Sequence, residues 1–294
     1  MTPDKPLVTT IEADLAGAVQ ANLFELFRAM ARTLSGAELV EQGGISYHHA
    51  FPPNPMFKGA WCTRLPDDQV DNVIDEVLAW FTARGAPFFF WWTGPGTAPA
   101  NLGAQLQARG LLDMAEQQGT LASGIVQTKQ GAPCMVADLH NMNETALHTV
   151  PAGFLIEEVT TMAALLDFKQ VFLASYAIPD WAGQAWVDAT QAIGIGKTPW
   201  KMFVGYLNGV PVATNMLFTG AGVASVYAVG TVPAARGMGI GAAITLKPLL
   251  TARDMGYHHA GLFSTEMGAS VYARIGFRMT EARINRYLWR TEQA

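Results

Sequence analysis

One segment constrains this chain more than any other. Residues 223–232 read as a strand, stop at Pro233, and continue through Arg236-Gly237-Met238-Gly239-Ile240-Gly241 directly into a helical pattern over 242–253. Glycines let a backbone approach a ligand without a Cβ in the way. A helix start leaves N–H groups unpaired and directed outward. Together they make an anion site suited to a pyrophosphate. Just upstream, the strand-like runs 201–207 and 212–218 are joined by Asn208-Gly209, a strong hairpin signal. The glycine loop therefore follows an antiparallel meander.

The elements around this segment can be read the same way. Residues 154–159 form a strand, and 162–176 and 181–193 form helices joined at Pro179. After the glycine loop come a strand over 257–264, a helix over 268–274 and a last strand over 277–288. The first half has a similar order. A helical stretch spans 10–34, with Leu15, Val19, Leu23, Phe24, Phe27 and Met30 at helical spacing. Strands 38–41 and 45–49 flank Gly43-Gly44, and a short apolar stretch covers 59–65. An amphipathic helix over 68–84 ends at Gly85, as a helix stop should. Strand 88–93 is apolar on both faces and so internal. A helix over 99–109 and a strand or strand pair over 111–126 complete the half, and 127–143 looks irregular. The two halves thus repeat one order of elements with little residue identity. The expected division is 1–135 and 136–294.

Two motifs carry a family resemblance. Arg236-Gly237-Met238-Gly239-Ile240-Gly241 resembles the R/Q-x-x-G-x-G/A signature of the GNAT N-acetyltransferase superfamily. Ser270-Val271-Tyr272-Ala273-Arg274-Ile275-Gly276-Phe277 resembles the same family's x-L-Y-x-x-x-G-F pattern. The resemblance covers nearly all of the second half. It implies an α/β (α+β) chain of two GNAT-like units with mixed, mainly antiparallel sheets flanked by helices. It also implies an acetyl-CoA site, with acetyl-CoA as co-substrate and no metal. Val229, Gly230 and Thr231 would run along the pantetheine arm like an added strand. The N–H groups of Arg236, Gly237, Met238, Gly239, Ile240, Gly241 and Ala242 would hold the pyrophosphate. Tyr272 would act as general acid to the leaving thiolate, and the Val229 amide would be the oxyanion donor. Thr265 stands where the family often has asparagine, a further cofactor contact. Glu266 is the only carboxylate just before the Tyr272 helix and the candidate base, although a helix-start acid also stabilises the dipole. His258 and His259 are weaker candidates for the base, and Glu157 and Glu158 read as solvated.

The matching loop of the first half, Arg64-Leu65-Pro66-Asp67-Asp68-Gln69, has no glycine and carries two carboxylates where a pyrophosphate would lie. Asp67 or Asp68 reads as a helix cap. The first half therefore resembles the degenerate unit of a tandem GNAT protein, without a CoA site. Its clusters Tyr47-His48-His49, Phe51 to Phe57 with Trp61, and Trp91-Trp92 to Gly96 would line an acceptor cleft between the halves or fill the core there. Trp181, Trp186 and Trp200 are candidate walls of the acceptor pocket. Asp180 reads as a helix cap or an amine-binding carboxylate.

Composition removes other classes. Half of the 294 residues are hydrophobic (50%) and only 15% are charged, against roughly 25% in an average soluble chain. That excludes disorder. The low charge fits a large apolar interface between the halves. The longest apolar run, Phe88 to Trp92, is far short of the ~20 residues of a spanning helix. A net charge of -5 argues against phosphate-driven nucleic-acid binding and is too small to steer ligands strongly, though it leans toward a cationic or amine acceptor. Cys62 and Cys134 lack ligand spacing and read as buried small hydrophobes. With no apolar leader, a cytoplasmic location is the expectation. Gly237-x-Gly239-x-x-Ala242 followed by Glu266 also fits a dinucleotide fingerprint, but the antiparallel meander and the short remaining chain oppose it. The expected function is an acyl-CoA-dependent N-acyltransferase, transferring acetyl to a primary amine by direct attack. The acceptor would be a small molecule rather than a protein. The alternatives are a non-catalytic CoA- or metabolite-binding GNAT-like module and a transferase of another acyl group.

Overall fold

The structure is a computed structural model that describes residues 5–9, 11–51, 57–61, 63–115 and 131–291. Helix α1 (Glu12–Thr33) buries the expected periodic face, Leu15, Val19, Leu23, Phe24, Phe27 and Met30. Strands β1 (Glu38–Gln42) and β2 (Ile45–His49) form a hairpin around Gly43 and Gly44, both at positive φ. Strand β3 (Lys58–Trp61), helix α2 (Val70–Ala83) and strand β4 (Phe88–Thr93) form a crossover unit, with β3 and β4 parallel. Phe89, Phe90 and Trp91 are fully buried, so β4 is internal as its two apolar faces require. Helix α3 (Leu102–Ala108) and the two-residue strand β5 (Leu112–Asp113) follow.

The second half uses the same plan. Strand β7 (Phe154–Glu158) leads to α4 (Met162–Tyr176) and α5 (Asp180–Ile193). Strands β8 (Trp200–Leu207), β9 (Val210–Gly220) and β10 (Val223–Thr231) form the antiparallel meander. Asn208 and Gly209 both have positive φ in the first hairpin turn, as their types promised. Helix α6 (Ile240–Asp254) crosses over to β11 (His259–Phe263), parallel to β10. Helix α7 (Glu266–Arg274) and strand β12 (Arg278–Arg290) complete the chain.

Several sequence expectations need correction. Within 127–143, read as irregular, Ala132–Asp138 is strand β6, placed between β11 and β12. A division at 135/136 runs through this strand. The expected strand over 111–126 is seen only as β5, and 116–130 lies outside the described residues. Helix α2 starts at Val70 with Gln69 in the cap position and no side-chain cap bond, so neither Asp67 nor Asp68 caps it. Asp180 is the first residue of α5 rather than its cap, and it pairs with Lys169 at 2.8 Å.

The last strand ties the halves together. From Arg278 to Ile284, β12 pairs with β6; from Asn285 to Arg290 it pairs with β4. The described strands therefore form one hydrogen-bonded sheet in the order β1-β2-β3-β4-β12-β6-β11-β10-β9-β8-β7, with β5 paired to β12 off this path, instead of two separate sheets. Helix α1 crosses the same junction. Its buried Asn22 donates to the carbonyls of Gly220 and Val223 at 2.9 and 3.0 Å and accepts from the Tyr227 hydroxyl at 2.7 Å. An apolar cluster spans the junction, with Phe24, Phe27, Trp61 and Trp92 on one side and Trp186, Trp200 and Phe218 on the other. Among the described residues, no helix is long and apolar enough to cross a membrane.

Candidate active site

The site begins where two parallel strands part. β10 and β11 are in register only at Ala224–Ala260 and Ser225–Gly261. Past that point β10 carries a bulge: its register with β9 shifts between Tyr227 and Gly230, and Ala228 sits at φ 49°. Side chains hold the bulge. The Thr214 hydroxyl donates to the Ala228 carbonyl at 2.9 Å, and the Tyr176 hydroxyl donates to the Val229 carbonyl at 2.7 Å. A Cβ at Gly230 would lie 2.7 Å from Cβ of Ser175, so glycine is what lets α4 close on this strand. The parting opens a cavity of about 740 Å³, with Val229, Gly230 and Thr231 in its lining.

At the same mouth lies the glycine loop. Gly237 and Gly239 have φ of 78° and 79°, a region where other residues are strained. Gly239 is the N-cap of α6 and offers no side-chain cap, so the first turn of the helix is open to a ligand. Gly237, Gly239 and Gly241 line the cavity. The expected set of donors narrows here. The Arg236 N–H already donates to the Pro233 carbonyl (3.3 Å) and the Ala242 N–H to that of Gly239 (3.1 Å), which leaves Gly237 to Gly241 as the better donors. The Arg236 side chain, at the cavity's edge, staples the loop: it donates to the carbonyls of Thr231 (3.1 Å) and Ser175 (3.0 Å). Met238 projects outward, half-exposed, and Ile240 is fully buried in the core, so neither side chain lines the cavity.

Tyr272 lines the cavity from α7. Its ring lies so close to Gly268 that a Cβ there would come within 2.8 Å of it. Burial pushes the Tyr272 phenol up to about 12. Tyr176 is also raised, by burial first and by the nearby Tyr272 second. Thr265, also in the lining, caps α7 by accepting from the Gly268 N–H at 3.0 Å. A threonine where the family often has asparagine therefore still starts the helix that carries Tyr272. Glu266 is exposed on the first turn of α7 and does not line the cavity. His258 and His259 also lie outside the lining; His258 Nδ1 is 3.1 Å from His140 Nε2. Among the described residues, no carboxylate and no imidazole lines the cavity. Glu158 pairs with Lys201 at 2.7 Å.

Sequence reasoning missed part of the lining. Asn143, Thr145 and Thr149, in the stretch after β6, line the cavity, and the Thr149 carbonyl is 3.2 Å from where a Gly239 Cβ would be. Nothing in that stretch has a periodicity or motif that could have marked it. Other walls come from the first half, Leu23 and Leu26 of α1 and Trp92 of β4, and from the strand that joins the halves, Ile284 and Arg286 of β12. Of the three candidate tryptophans of the second half, Trp186 lines the cavity. Trp200 is buried against Trp186, ring centroids 5.9 Å apart, and Trp181 faces Phe88. Of the first-half aromatics, Tyr47, Phe57, Trp61 and Trp91 fill cores, as does His48, which packs between Phe27 and Trp61. Pro52 to Met56 and Cys62 lie outside the described residues; Cys134 is buried, and burial pushes its thiol up to about 12. Among the described residues, no group of three or more His, Cys, Asp or Glu could hold a metal.

The equivalent slot of the first half is closed. Beyond β3 the chain zips onto the segment after β4. The Ala98 N–H donates to the Thr63 carbonyl (2.9 Å), and the Leu65 N–H donates to the Ala98 carbonyl (3.1 Å). The Arg64 side chain donates to the Gly96 carbonyl (2.9 Å), and the Trp91 indole to the Thr63 hydroxyl (3.0 Å). The gap that β10 and β11 leave open is here filled with protein.

No protein-family model matches the sequence, and no curated protein matches it. Solved structures do. A GCN5-related N-acetyltransferase from Kribbella flavida superposes with a TM-score of 0.66 at 16% identity, over 96% of this chain and 95% of that one. A tandem GNAT protein from the clavulanic acid biosynthesis pathway superposes with a TM-score of 0.57 at 13% identity, over 99% of this chain and 98% of that one. A GCN5-related N-acetyltransferase from Sphaerobacter thermophilus gives a TM-score of 0.56 at 13% identity, over 97% and 94%. With its parted β10 and β11, its glycine loop at α6 and these likenesses along the whole chain, the protein has the fold of the GCN5-related N-acetyltransferases, in tandem arrangement.

Proposed function

We propose that the protein is an acyl-CoA-dependent N-acyltransferase that moves acetyl from acetyl-CoA to the primary amine of a small molecule. The site is in the second half; the first half shapes the acceptor side and has no CoA site of its own. The observation that carries this reading is the parting of β10 and β11 into a cavity that holds both the glycine loop and Tyr272. The residues suit the cofactor. Gly237 and Gly239 hold conformations that bring backbone close to a ligand, and the lining has Arg236, Arg274 and Arg286 with no carboxylate among the described residues.

Bound acetyl-CoA supplies an activated acyl thioester, so the chain needs no nucleophile of its own. The N–H groups from Gly237 to Gly241 receive the diphosphate, helped by the positive end of α6. Gly230, between Val229 and Thr231, runs along the pantetheine arm. The Val229 N–H, on the bulge fixed by Tyr176, donates to the thioester oxygen. Tyr272 stands by the sulfur as general acid. A thiol has a pKa near 8.5, so with the phenol at about 12 most of its effect is hydrogen-bond donation to the departing thiolate. With no carboxylate or imidazole in the described lining to take the proton, the amine reacts from its neutral fraction. Glu266, off the cavity, acts on α7 through the helix dipole instead. A cytoplasmic setting, where acetyl-CoA is made and used, goes with this reading.

The missing base also favours a second reading, a CoA-binding module without turnover. Titration calorimetry with acetyl-CoA, followed by thiol release across an amine panel, separates the two. We expect one acetyl-CoA per chain, no competition from NAD, and thiol release with at least one small amine. No binding at millimolar acetyl-CoA would overturn the proposal, and two per chain would overturn the closed first-half slot. Tight binding without turnover on any amine would favour the module.

A further inference from the structure

The cavity's charge and its two ends say something about the acceptor. The proposed diphosphate end has Arg236 in the loop before α6 and Arg274 at the last turn of α7. Arg286 is elsewhere. It is on β12, directly opposite Trp92 of β4, and in sheet order β6 and β11 separate β12 from β10. Three strand spacings of ~4.8 Å put it roughly 14 Å from β10 across the sheet. Its guanidinium carbon lies 5.5 Å from the Trp92 ring centre and 5.9 Å from that of Phe90. The cavity lining also includes Leu23, Leu26, Trp92, Trp186 and Ile284, which belong to one apolar cluster.

Burial lowers Arg286 to about 10, so it is still a cation at neutral pH, held away from bulk water. A desolvated guanidinium facing a cavity is stabilised by an anion brought into that cavity. Arg286 has contacts within the protein. Five N–H donors in a fork let it keep such contacts and still meet a carboxylate. The charge of the cavity also opposes the lean toward a cationic acceptor suggested by the chain's net charge. The local lining has three arginines and, among the described residues, no acid.

We infer that the acceptor is an amine that also carries a carboxylate beside an apolar body, the chemistry of a hydrophobic amino acid, and that Arg286 is the residue that selects the carboxylate. This rests on the acyltransferase reading for the word acceptor, but the carboxylate selectivity can be tested apart from it.

The test compares ligands that differ only in the anion. Titration calorimetry would measure binding of N-acetylphenylalanine, a product mimic, and of N-acetylphenylalanine amide, each with CoA present. The same carboxylate and amide pair of phenylalanine would be assayed for thiol release from acetyl-CoA. We expect the wild type to prefer the acid over the amide by roughly 10- to 100-fold, the worth of a hydrogen-bonded charge. Arg286→Met should remove that preference, and Arg286→Lys should keep part of it. A wild type that binds acid and amide alike overturns the inference without any variant having to fold. So does an Arg286→Met protein with wild-type CoA affinity that still prefers the acid. If acetyl-CoA fails to bind while the Arg286-dependent preference for the acid persists, the carboxylate site stands and the acyltransferase reading falls.

Discussion

Gly241 offers a perturbation whose effects on folding and on ligand binding have opposite signs. It is the second residue of α6, in an ordinary helical conformation, and a Cβ there would meet only Thr231 Oγ1 at 3.6 Å and a Val271 methyl at 3.8 Å. Those are normal contacts, so Gly241→Ala fits the fold without strain. Alanine in a helix is worth about 0.5–1 kcal/mol over glycine, less at a helix start, so Tm should rise by about 1–3 °C. The same methyl projects into the mouth of the cavity, where the diphosphate would approach. Displacing one charge-assisted hydrogen bond costs about 1.5–3 kcal/mol, or roughly 10- to 100-fold in acetyl-CoA affinity. Gly239→Ala cannot separate the effects. Its φ of 79° strains any L side chain, and the Thr149 carbonyl is 3.2 Å from its Cβ. Differential scanning fluorimetry and titration calorimetry on Gly241→Ala give the two numbers independently. A stable protein that binds acetyl-CoA as tightly as the wild type would refute the placement of the diphosphate.

Tyr272→Phe should lower kcat roughly 10- to 100-fold and leave acetyl-CoA affinity within about twofold. Because the phenol stays protonated to about 12, the alkaline limb of the rate profile should not come from it; a limb near pH 9 that Tyr272→Phe abolishes would argue otherwise. Lys58 donates to the Ala50 carbonyl at 2.9 Å, and burial lowers it to about 8 from 10.5. The unfolded chain then binds more protons between those values, so stability rises with pH in that window. Denaturant melts should show the wild type gaining about 3 kcal/mol on Lys58→Met from pH 7 to pH 11, and parallel profiles would count against the buried charge. A Cβ on Gly261 of β11 would overlap a Val19 methyl on α1. Gly261→Ala should therefore cost about 1–3 kcal/mol by overpacking, with Val19→Ala restoring part of it in a double-mutant cycle; purely additive losses would mean that α1 does not pack there.

What could be read in the sequence was what local chemistry decides. The Asn208-Gly209 turn, the glycine loop and the apolar stripe of α1 each specify a conformation from a few neighbouring residues, and all three are present as expected. The candidate residues of that loop and of α7 were read from the same local motifs, and Arg236, Gly237, Gly239, Gly241, Ala242, Thr265 and Tyr272 line one cavity. Strand β6 was missed because its pattern is a short apolar run, APCMVAD, without alternation and with a proline at its second position. It is a strand because β11 and β12 pair with it on either side, a fact of tertiary structure. Glu266 lies off the cavity for a similar reason. Nearness in sequence to Tyr272 puts it on the same helix, but six residues on a helix are 600° of rotation, so the two point in quite different directions. Arg286 had no signal at all. It reads as one more polar residue in an alternating strand, and its meaning depends on the cavity in front of it.

The two halves follow one plan, and one difference separates them. In each, a helix crosses over between two parallel strands, α2 between β3 and β4 and α6 between β10 and β11. A diphosphate needs the chain at the end of the first strand to turn away from the second and open the helix start. In the second half glycines at positive φ make that turn. In the first half Leu65-Pro66-Asp67 takes its place, Arg64 is bonded back to Gly96, and Thr63 and Leu65 are laced to Ala98. The bonds that close the slot also fix the residues following β4, and Trp92 at the end of that strand is a wall of the cavity of the other half. The closed slot of the first half thus gives a bonded edge to the cavity of the second. The exchange of β12 fixes the same edge from the other side, because the strand that carries Arg286 is also the strand that pairs with Trp92. On the proposed reading, an acceptor pocket on this seam would need both halves in one chain, with the glycine loop of the second half alone receiving CoA.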